Sequence, residues 1–307
     1  MVGGGRGAFI GGVHRMAAAL DGHIDLVCGA FSSDSEKSRL SGQDLYLPED
    51  RVYDSYSQMI LTEKELPLGV RMDFVSIVTP NHMHFGPAKM ALENGFHVVC
   101  DKPLCLTKKE AEELVDLVNK SGLIFALTHN YTGYPMVKQA KAMIRKGELG
   151  HIRKVVVEYP QGWLSTLLEA DANAKQAIWR TDPNQSGAAG SMGDIGTHAE
   201  NLAEYITGLK TVEVMADFNT VHKTRKKPLK PVETYSGKML QPEDYADVTI
   251  TTEDTANVLL RFDNGNRGSV TVSQVSAGRK NQLKLEISGS NKTFAWNSEA
   301  PNELWLG

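Results

Sequence analysis

The stretch Met1–Leu20, MVGGGRGAFIGGVHRMAAAL, decides the fold. Gly3, Gly5 and Ala8 match the pattern G-x-G-x-x-A. There the first glycine permits a tight turn and the second lets the backbone approach a pyrophosphate. The small third residue lets a helix pack close to a sheet. The residues from there to Leu20 suit a helix, whose amino terminus offers unpaired N–H groups to phosphate. Arg6, Gly7 and Phe9 complete the expected cofactor turn. A full strand should precede it, and only Met1 and Val2 do, so the chain start reads as truncated.

Outward from this turn, four segments read as strands: Ile24–Ala30 (IDLVCGA), Asp73–Val78 (DFVSIV), Phe96–Cys100 (FHVVC) and Leu123–Leu127 (LIFAL). Helical patterns such as Gly86–Asn94 and Lys108–Lys120 lie between them. That alternation implies parallel βαβ units with helices on both faces. Ligands of such sheets sit beyond the carboxyl ends of the strands, and the polar candidates fall there. Thr79, Pro80, Asn81 and His84 are expected to line a cofactor near its nicotinamide ribose. Asp101 and Lys102 follow the next strand, and Asn130 and Tyr131 follow the last one, within reach of cofactor or substrate. At the end of the second strand Phe31-Ser32-Ser33 stands where an acidic residue would hold a ribose 2′-hydroxyl. Ser32, Ser33 and Lys37, with Arg39 nearby, suit a 2′-phosphate, which tilts the choice between NAD and NADP toward NADP. The alternative is that Asp34 caps the next helix and the basic residues are solvated.

After Asn130 the pattern changes, which divides the chain into a dinucleotide-binding domain, 1–128, and a substrate and oligomerisation domain, 129–307. The expected elements are a helix Pro135–Lys146, a strand Ile152–Tyr159, a helix Ile195–Thr207 and five β-rich segments. Those are Thr211–Asn219, Ala246–Thr252, Ala256–Asp263, Asn266–Ser276 and Gln282–Ser288. Asp263-Asn264-Gly265-Asn266 is a hairpin signal. The fold class is therefore α/β: a Rossmann domain followed by a domain with an open, mostly antiparallel sheet. One sheet face is left for a contact between copies, so a homo-oligomer is expected. No terminal element is legible before Gly307, so this end also reads as cut.

The chemistry concentrates in two places, Asp101-Lys102-Pro103 and Gly193-Asp194-Ile195-Gly196-Thr197-His198. On a helix Asp194 and His198 share one face. A lysine, a carboxylate and an imidazole facing one pocket can take a proton from a sugar hydroxyl and return it. His198 is the expected proton acceptor, since imidazole exchanges protons near neutrality. Asp194 would bind a hydroxyl or orient the imidazole. Lys102 would stabilise the developing alkoxide, or serve as the base itself. Trp163, Trp179 and Arg180 are further candidate contacts to sugar or cofactor.

The 307 residues carry a formal charge of −4, and no basic excess points to nucleic acid. No apolar run is long enough to span a bilayer. The three cysteines, Cys28, Cys100 and Cys105, lack metal-ligand spacing. With Cys28 and Cys100 in apolar runs, they fit a reducing compartment, expected to be the cytoplasm. His82-Met83-His84 finds no spaced partner, so no metal is expected. The basic run Lys223–Lys230 (KTRKKPLK) reads as a solvated loop.

With GGGRGA at the start, TPNHMH (79–84), DKP (101–103) and GDIGTH (193–198) in this order, the chain resembles the glucose–fructose oxidoreductase and inositol dehydrogenase (Gfo/Idh/MocA) family. The resemblance spans nearly all of it. It implies a Rossmann domain joined to an open-sheet α/β domain. The implied activity is NAD- or NADP-dependent oxidation or reduction of a secondary alcohol of a sugar, cyclitol or related compound. YPQGW (159–163) and WRTDP (179–183) are similar to the branch acting on sugars, anhydrosugars and glycosides. The family usually has Glu where Asp101 stands, one methylene longer. Two other functions fit the same residues: a nucleotide-binding sensor without turnover, and a 3-keto-sugar lyase or glycosidase with tightly bound NAD.

Overall fold

The computed structural model of the protein describes residues 1–167, 186–229 and 242–307. They form two compact units, Met1–Thr128 and His129–Gly307.

In the first unit β1 (Val2–Gly3), β2 (Phe74–Val78), β3 (His97–Cys100) and β4 (Phe125–Leu127) pair in parallel in that order. The expected strand Ile24–Ala30 shrinks to single parallel bridges, Val2↔Ala30 and Gly29↔Val52. Ile24 and Val27 are exposed, so little burial holds the rest of that run in a sheet. These bridges lie on the far side of β1 from β2. The strand order thus reverses between β1 and β2, the switch point where such sheets take nucleotides.

The helices are α1 (Phe9–Ala19), α2 (Ser35–Asp44), α3 (Tyr56–Glu65), α4 (Phe85–Glu93) and α5 (Lys108–Ser121). Their ends are locally encoded. Thr107 and Glu110 form a reciprocal capping box at the start of α5, and left-handed Gly122 ends it. Met59, Ile60, Val75, Ile77, Ala88, Phe96, Val98 and Leu114 fill the core, with Cys28 and Cys100 as buried thiols.

The second unit is a seven-stranded sheet. Its strands are β5 (Ile152–Pro160), β6 (Thr211–Asn219), β9 (Thr255–Phe262), β10 (Arg267–Ser273), β11 (Lys284–Gly289), β12 (Thr293–Asn297) and β13 (Leu304–Leu306). A separate hairpin holds β7 (Thr224–Pro228) and β8 (Tyr245–Thr249). The sheet order is β13-β12-β11-β5-β10-β9-β6, antiparallel except where β10 lies parallel to β5. Helices α6 (Pro135–Arg145) and α7 (Thr197–Thr207) cover one face. Val137, Ala140, Leu202 and Ile206 pack there on Val155, Val157, Leu260 and Val270. Residues alternate buried and exposed along β9, the period of a half-covered sheet. On the other face Met215 and Leu259, opposite each other in β6 and β9, are exposed.

Four expectations need correction. The basic run Lys223–Lys230 is not simply a solvated loop, because Thr224–Pro228 pairs as a strand and Arg225 is buried. The guanidinium of Arg225 lies 3.4 Å from Asp254 and donates to the Leu164 carbonyl at 3.0 Å. The Ala246–Thr252 segment joins this hairpin rather than the main sheet. The chain end does carry an element, β13, which pairs with β12. Finally, the α-helix bearing His198 starts at Thr197, after a π-helical turn Met192–Gly196.

Candidate active site

In the first unit the turn after β1 is set by glycines. Gly3, Gly4 and Gly7 have φ of +78°, +75° and +76°, conformations that L side chains rarely adopt. Beyond β1 a Cβ on Gly3 would stand 2.9 Å from Thr79 Cγ2, so the ends of β1 and β2 touch at the switch point. The close approach assigned to Ala8 belongs to Gly11. Ala8 is the exposed N-cap of α1, whereas a Cβ on Gly11 would stand 2.4 Å from Gly4 Cα. Arg15 donates to the Gly4 carbonyl at 2.9 Å and ties α1 to the turn. No side chain caps α1, so its first-turn N–H groups suit a phosphate. Gly5 and Arg6 pack on α2, with Arg6 N–H donating to Ser41 Oγ at 3.0 Å and the Arg6 guanidinium paired to Asp44. Phe9 opens α1 and is exposed.

At the second-strand end, Ser32 Oγ accepts from Asp34 N–H at 3.1 Å, and Asp34 caps α2 by accepting from Lys37 N–H at 2.9 Å. Ser33 is exposed, and Arg39 pairs with Glu36. After β2, Thr79 Oγ1 donates to Met83 O, Pro80 is half-buried and Asn81 is buried. His84 is buried, with Nδ1 2.6 Å from Pro103 O and Nε2 3.0 Å from Thr79 O. Its ring therefore links the turn after β2 to the Lys102–Pro103 turn, where the peptide bond is cis. Burial holds His84 below the usual imidazole pKa, against the pull of the two carbonyls. Asp101 Oδ1 accepts from Lys102 N–H at 2.9 Å and from Thr128 Oγ1 at 2.8 Å. The shorter carboxylate thus fixes the backbone that presents Lys102, which is half-buried.

In the second unit Asp194 lies in the π turn and His198 in the first turn of α7. Such turns recur at functional sites. A Cβ on Gly196 would stand 2.6 Å from Met192 Sδ, so glycine lets the turn close around that sulfur. Different partners brace the two side chains. Asp194 Oδ2 accepts from Gln274 Nε2 at 2.7 Å. The buried His198 ring meets the edges or faces of Tyr131 and His129, with centroids 5.1 and 5.3 Å away and planes near perpendicular. Tyr131 Oη and Tyr159 Oη are 2.5 Å apart, and Asn281 bonds to both. Burial raises both phenols above the usual tyrosine pKa, so they stay protonated. Asn130 is exposed in the turn Asn130–Gly133. Trp163 is half-buried, and its indole N–H donates to Gln161 Oε1 at 3.0 Å. Trp179 and Arg180 lie outside the described residues.

Sequence reasoning missed several supports of this site: Gln161, Gln274, Asn281, Tyr159 and Glu253. Glu253 is buried, and both of its oxygens accept from Gly190 N–H at 3.0 Å. It also accepts from Met192 N–H at 2.7 Å. A carboxylate thus anchors the start of the π turn, where negative charge is favoured. Tyr159 and Gln161 stand inside YPQGW, the one signal that could have marked them. Among the described residues no cluster of three His, Cys, Asp or Glu could hold a metal, and no helix is long and apolar enough to cross a membrane.

The chain matches known proteins over nearly its whole length. Residues 1–131 match the family model described as "Oxidoreductase family, NAD-binding Rossmann fold", and 137–295 match the "GFO/IDH/MocA C-terminal domain". The uncharacterized oxidoreductase YfiI of Bacillus subtilis is 33% identical over 306 residues, 99% of this chain and 71% of that protein. Levoglucosan dehydrogenase of Pseudarthrobacter phenanthrenivorans is 31% identical over 239 residues, 75% of this chain but only 56% of that enzyme. An inositol dehydrogenase homolog from Azotobacter vinelandii, solved with NAD+, superposes with a TM-score of 0.86 at 34% identity, covering 100% of this chain and 72% of that one. In its complex with NADH and myo-inositol the TM-score is 0.83 at 32% identity, over 100% of this chain and 71% of that one. This chain belongs to the Gfo/Idh/MocA oxidoreductase family, with its NAD-binding Rossmann domain.

Proposed function

We propose that this family member is a dehydrogenase that moves a hydride between NAD(P) and a secondary alcohol of a sugar, anhydrosugar, cyclitol or glycoside. The observation that carries the reading is the separate bracing of Asp194 and His198 on one helical stretch: a carboxylate held by an amide donor, and an imidazole seated between rings. The relatives named for levoglucosan and myo-inositol support a polyol substrate.

The glycine turn Gly3–Gly7, with Ala8 and Phe9, leads into the uncapped start of α1, whose first-turn N–H groups suit a pyrophosphate. When bound, the nicotinamide supplies the hydride acceptor for an alcohol. Thr79, Pro80, Asn81 and Asn130 are assigned to the cofactor. His84 supports it indirectly, by fixing the turns around Thr79 and Lys102. Lys102 Nζ hydrogen-bonds the reacting oxygen and stabilises it as negative charge develops. His198 takes the hydroxyl proton, and Asp194 accepts a hydrogen bond from a substrate hydroxyl. Tyr131 and Trp163 border the sugar. The cofactor is NAD or NADP: Asp34 caps α2 and Arg39 pairs with Glu36, which matches the alternative to a 2′-phosphate site and removes the ground for preferring NADP.

A homo-oligomer is part of this reading, supported by the exposed apolar pair Met215 and Leu259 on the uncovered sheet face. Light scattering that finds only monomer would count against it. A cytoplasmic location is supported by the free thiols of Cys28, Cys100 and Cys105.

The chemistry is tested with Lys102→Ala and His198→Ala. Each should lower kcat by roughly 100-fold or more while nucleotide affinity stays within a few-fold. Turnover that survives both substitutions contradicts the assignment.

A further inference from the structure

The indole N–H of Trp163 fixes the direction of the hydrogen bonds that run through Gln161 and Gln274 to Asp194. An indole nitrogen only donates, so the Gln161 atom 3.0 Å from it is the amide oxygen. Gln161 Nε2 then faces Asn281, whose Oδ1 accepts from it at 2.6 Å and from Tyr159 Oη at 2.7 Å. Tyr159 has only one proton to give, so Tyr131 is the donor across the 2.5 Å contact between the phenols. Tyr131 in turn accepts from Asn281 Nδ2 at 3.1 Å. Tyr131, Tyr159 and Asn281 thus close a ring of three hydrogen bonds with one consistent direction.

The second branch leads to the carboxylate. Gln161 Oε1 also receives Gln274 Nε2 at 3.4 Å, and the same nitrogen donates to Asp194 Oδ2 at 2.7 Å. Both amide protons of Gln274 are therefore directed, one by Gln161 and one by Asp194. Its backbone is pinned as well: Gln274 N–H donates to Asp254 O at 3.0 Å, and its carbonyl accepts from Leu164 N–H at 3.0 Å. The side chain is buried. A flipped amide would turn its oxygen toward a carboxylate and toward Gln161 Oε1, two acceptors at once.

We propose that Gln274 is a positioning residue for substrate recognition: its amide, oriented through Gln161 and Trp163, presents Asp194 as a fixed hydrogen-bond acceptor for a polyol hydroxyl. The inference rests on the reading of Asp194 as a substrate-binding group. Gln274 itself need not touch the substrate. Its loss acts through Asp194 and leaves the nucleotide site unaffected. Because a donor at 2.7 Å favours the ionised carboxylate, a carboxylate in its place has the opposite effect.

The test compares Gln274→Leu, Gln274→Glu, Asp194→Asn and the double variant Asp194→Asn/Gln274→Leu. Binding of myo-inositol, levoglucosan and a methyl glucoside to the nucleotide-loaded protein is measured by calorimetry, with melting curves to verify folding. Gln274→Leu should weaken polyol binding by about 10-fold, the size of one hydrogen bond to a charged group, with nucleotide affinity unchanged. The double variant should bind no more weakly than Asp194→Asn alone. In turnover, isosteric Gln274→Glu should move the acid limb of kcat/KM upward, because two carboxylates then share the site. If Asp194→Asn weakens polyol binding and Gln274→Leu does not, the inference is overturned while the reading of Asp194 stands. If Asp194→Asn changes nothing, or no polyol binds, the functional reading itself fails and the inference with it.

Discussion

The rings of Tyr131 and His198 stand perpendicular, at 89° with centroids 5.1 Å apart, and the Tyr131 hydroxyl is held from behind by Tyr159 and Asn281. A buried imidazole keeps its direction only if its neighbours cannot turn, and here a closed ring of hydrogen bonds prevents that. Tyr159→Phe should break the ring and leave the Tyr131 hydroxyl without its acceptor. The expected cost is about 1–2 kcal/mol of stability, with a several-fold loss of kcat and little change in nucleotide affinity. Chemical denaturation and steady-state kinetics check both parts; unchanged kcat would show that the seat of His198 does not depend on the ring.

Glu253 anchors the turn that carries Asp194 through the N–H groups of Gly190 and Met192. Glu253→Gln keeps the shape but turns a donor toward a backbone donor. The second unit should lose about 1–3 kcal/mol and melt earlier, while unfolding of the first unit is unaffected. Calorimetry that shows the two units losing stability equally would contradict the assignment.

Gly11 permits the close contact between α1 and the glycine turn. Gly11→Ala should cost about 1–3 kcal/mol through overpacking and weaken nucleotide binding, although a helix interior otherwise favours alanine over glycine. Ala8→Ser, at the exposed N-cap, should add the missing side-chain cap and raise stability by about 0.5–2 kcal/mol. Nucleotide titrations of the two variants separate the roles of these positions.

Burial lowers the pKa of His84 and of His14 in the first unit. Between the lowered values and the ordinary imidazole range, the unfolded chain binds more protons than the folded one. Stability is then full above about pH 6.5 and falls as the solution is acidified through that window. Melting curves of the first unit between pH 7.5 and 5.5 should move to lower temperature. A melting point that is flat or rises on acidification would contradict the stated environment of His84.

The parts of this fold that could be read in advance are those with local causes. Positive φ at Gly3 and Gly7, the Thr107–Glu110 box and the alternation along Thr255–Phe262 each need only a few neighbouring residues. Arg225 was hidden because its charged neighbours imply solvent, whereas its partner Asp254 arrives from 29 residues away. Asp194, Lys102 and His198 stand out through the order of the motifs that carry them, not through their surroundings. Gln274 and Asn281 carry no such mark: Gln274 meets Asp194 across 80 residues, and Asn281 meets Tyr131 across 150. Single amides that become functional only through tertiary contact leave no periodicity to read.

Hydride transfer from a polyol is read most directly by the absorbance of reduced nicotinamide. The protein is incubated with NAD or NADP and with myo-inositol, levoglucosan, free sugars or glycosides. Reduced cofactor should accumulate steadily with at least one polyol, and His198→Ala and Lys102→Ala should each abolish it. Tight nucleotide binding with no reduced cofactor released from any of them would contradict it, and would transfer the assignment to a sensor or to a self-resetting redox cycle.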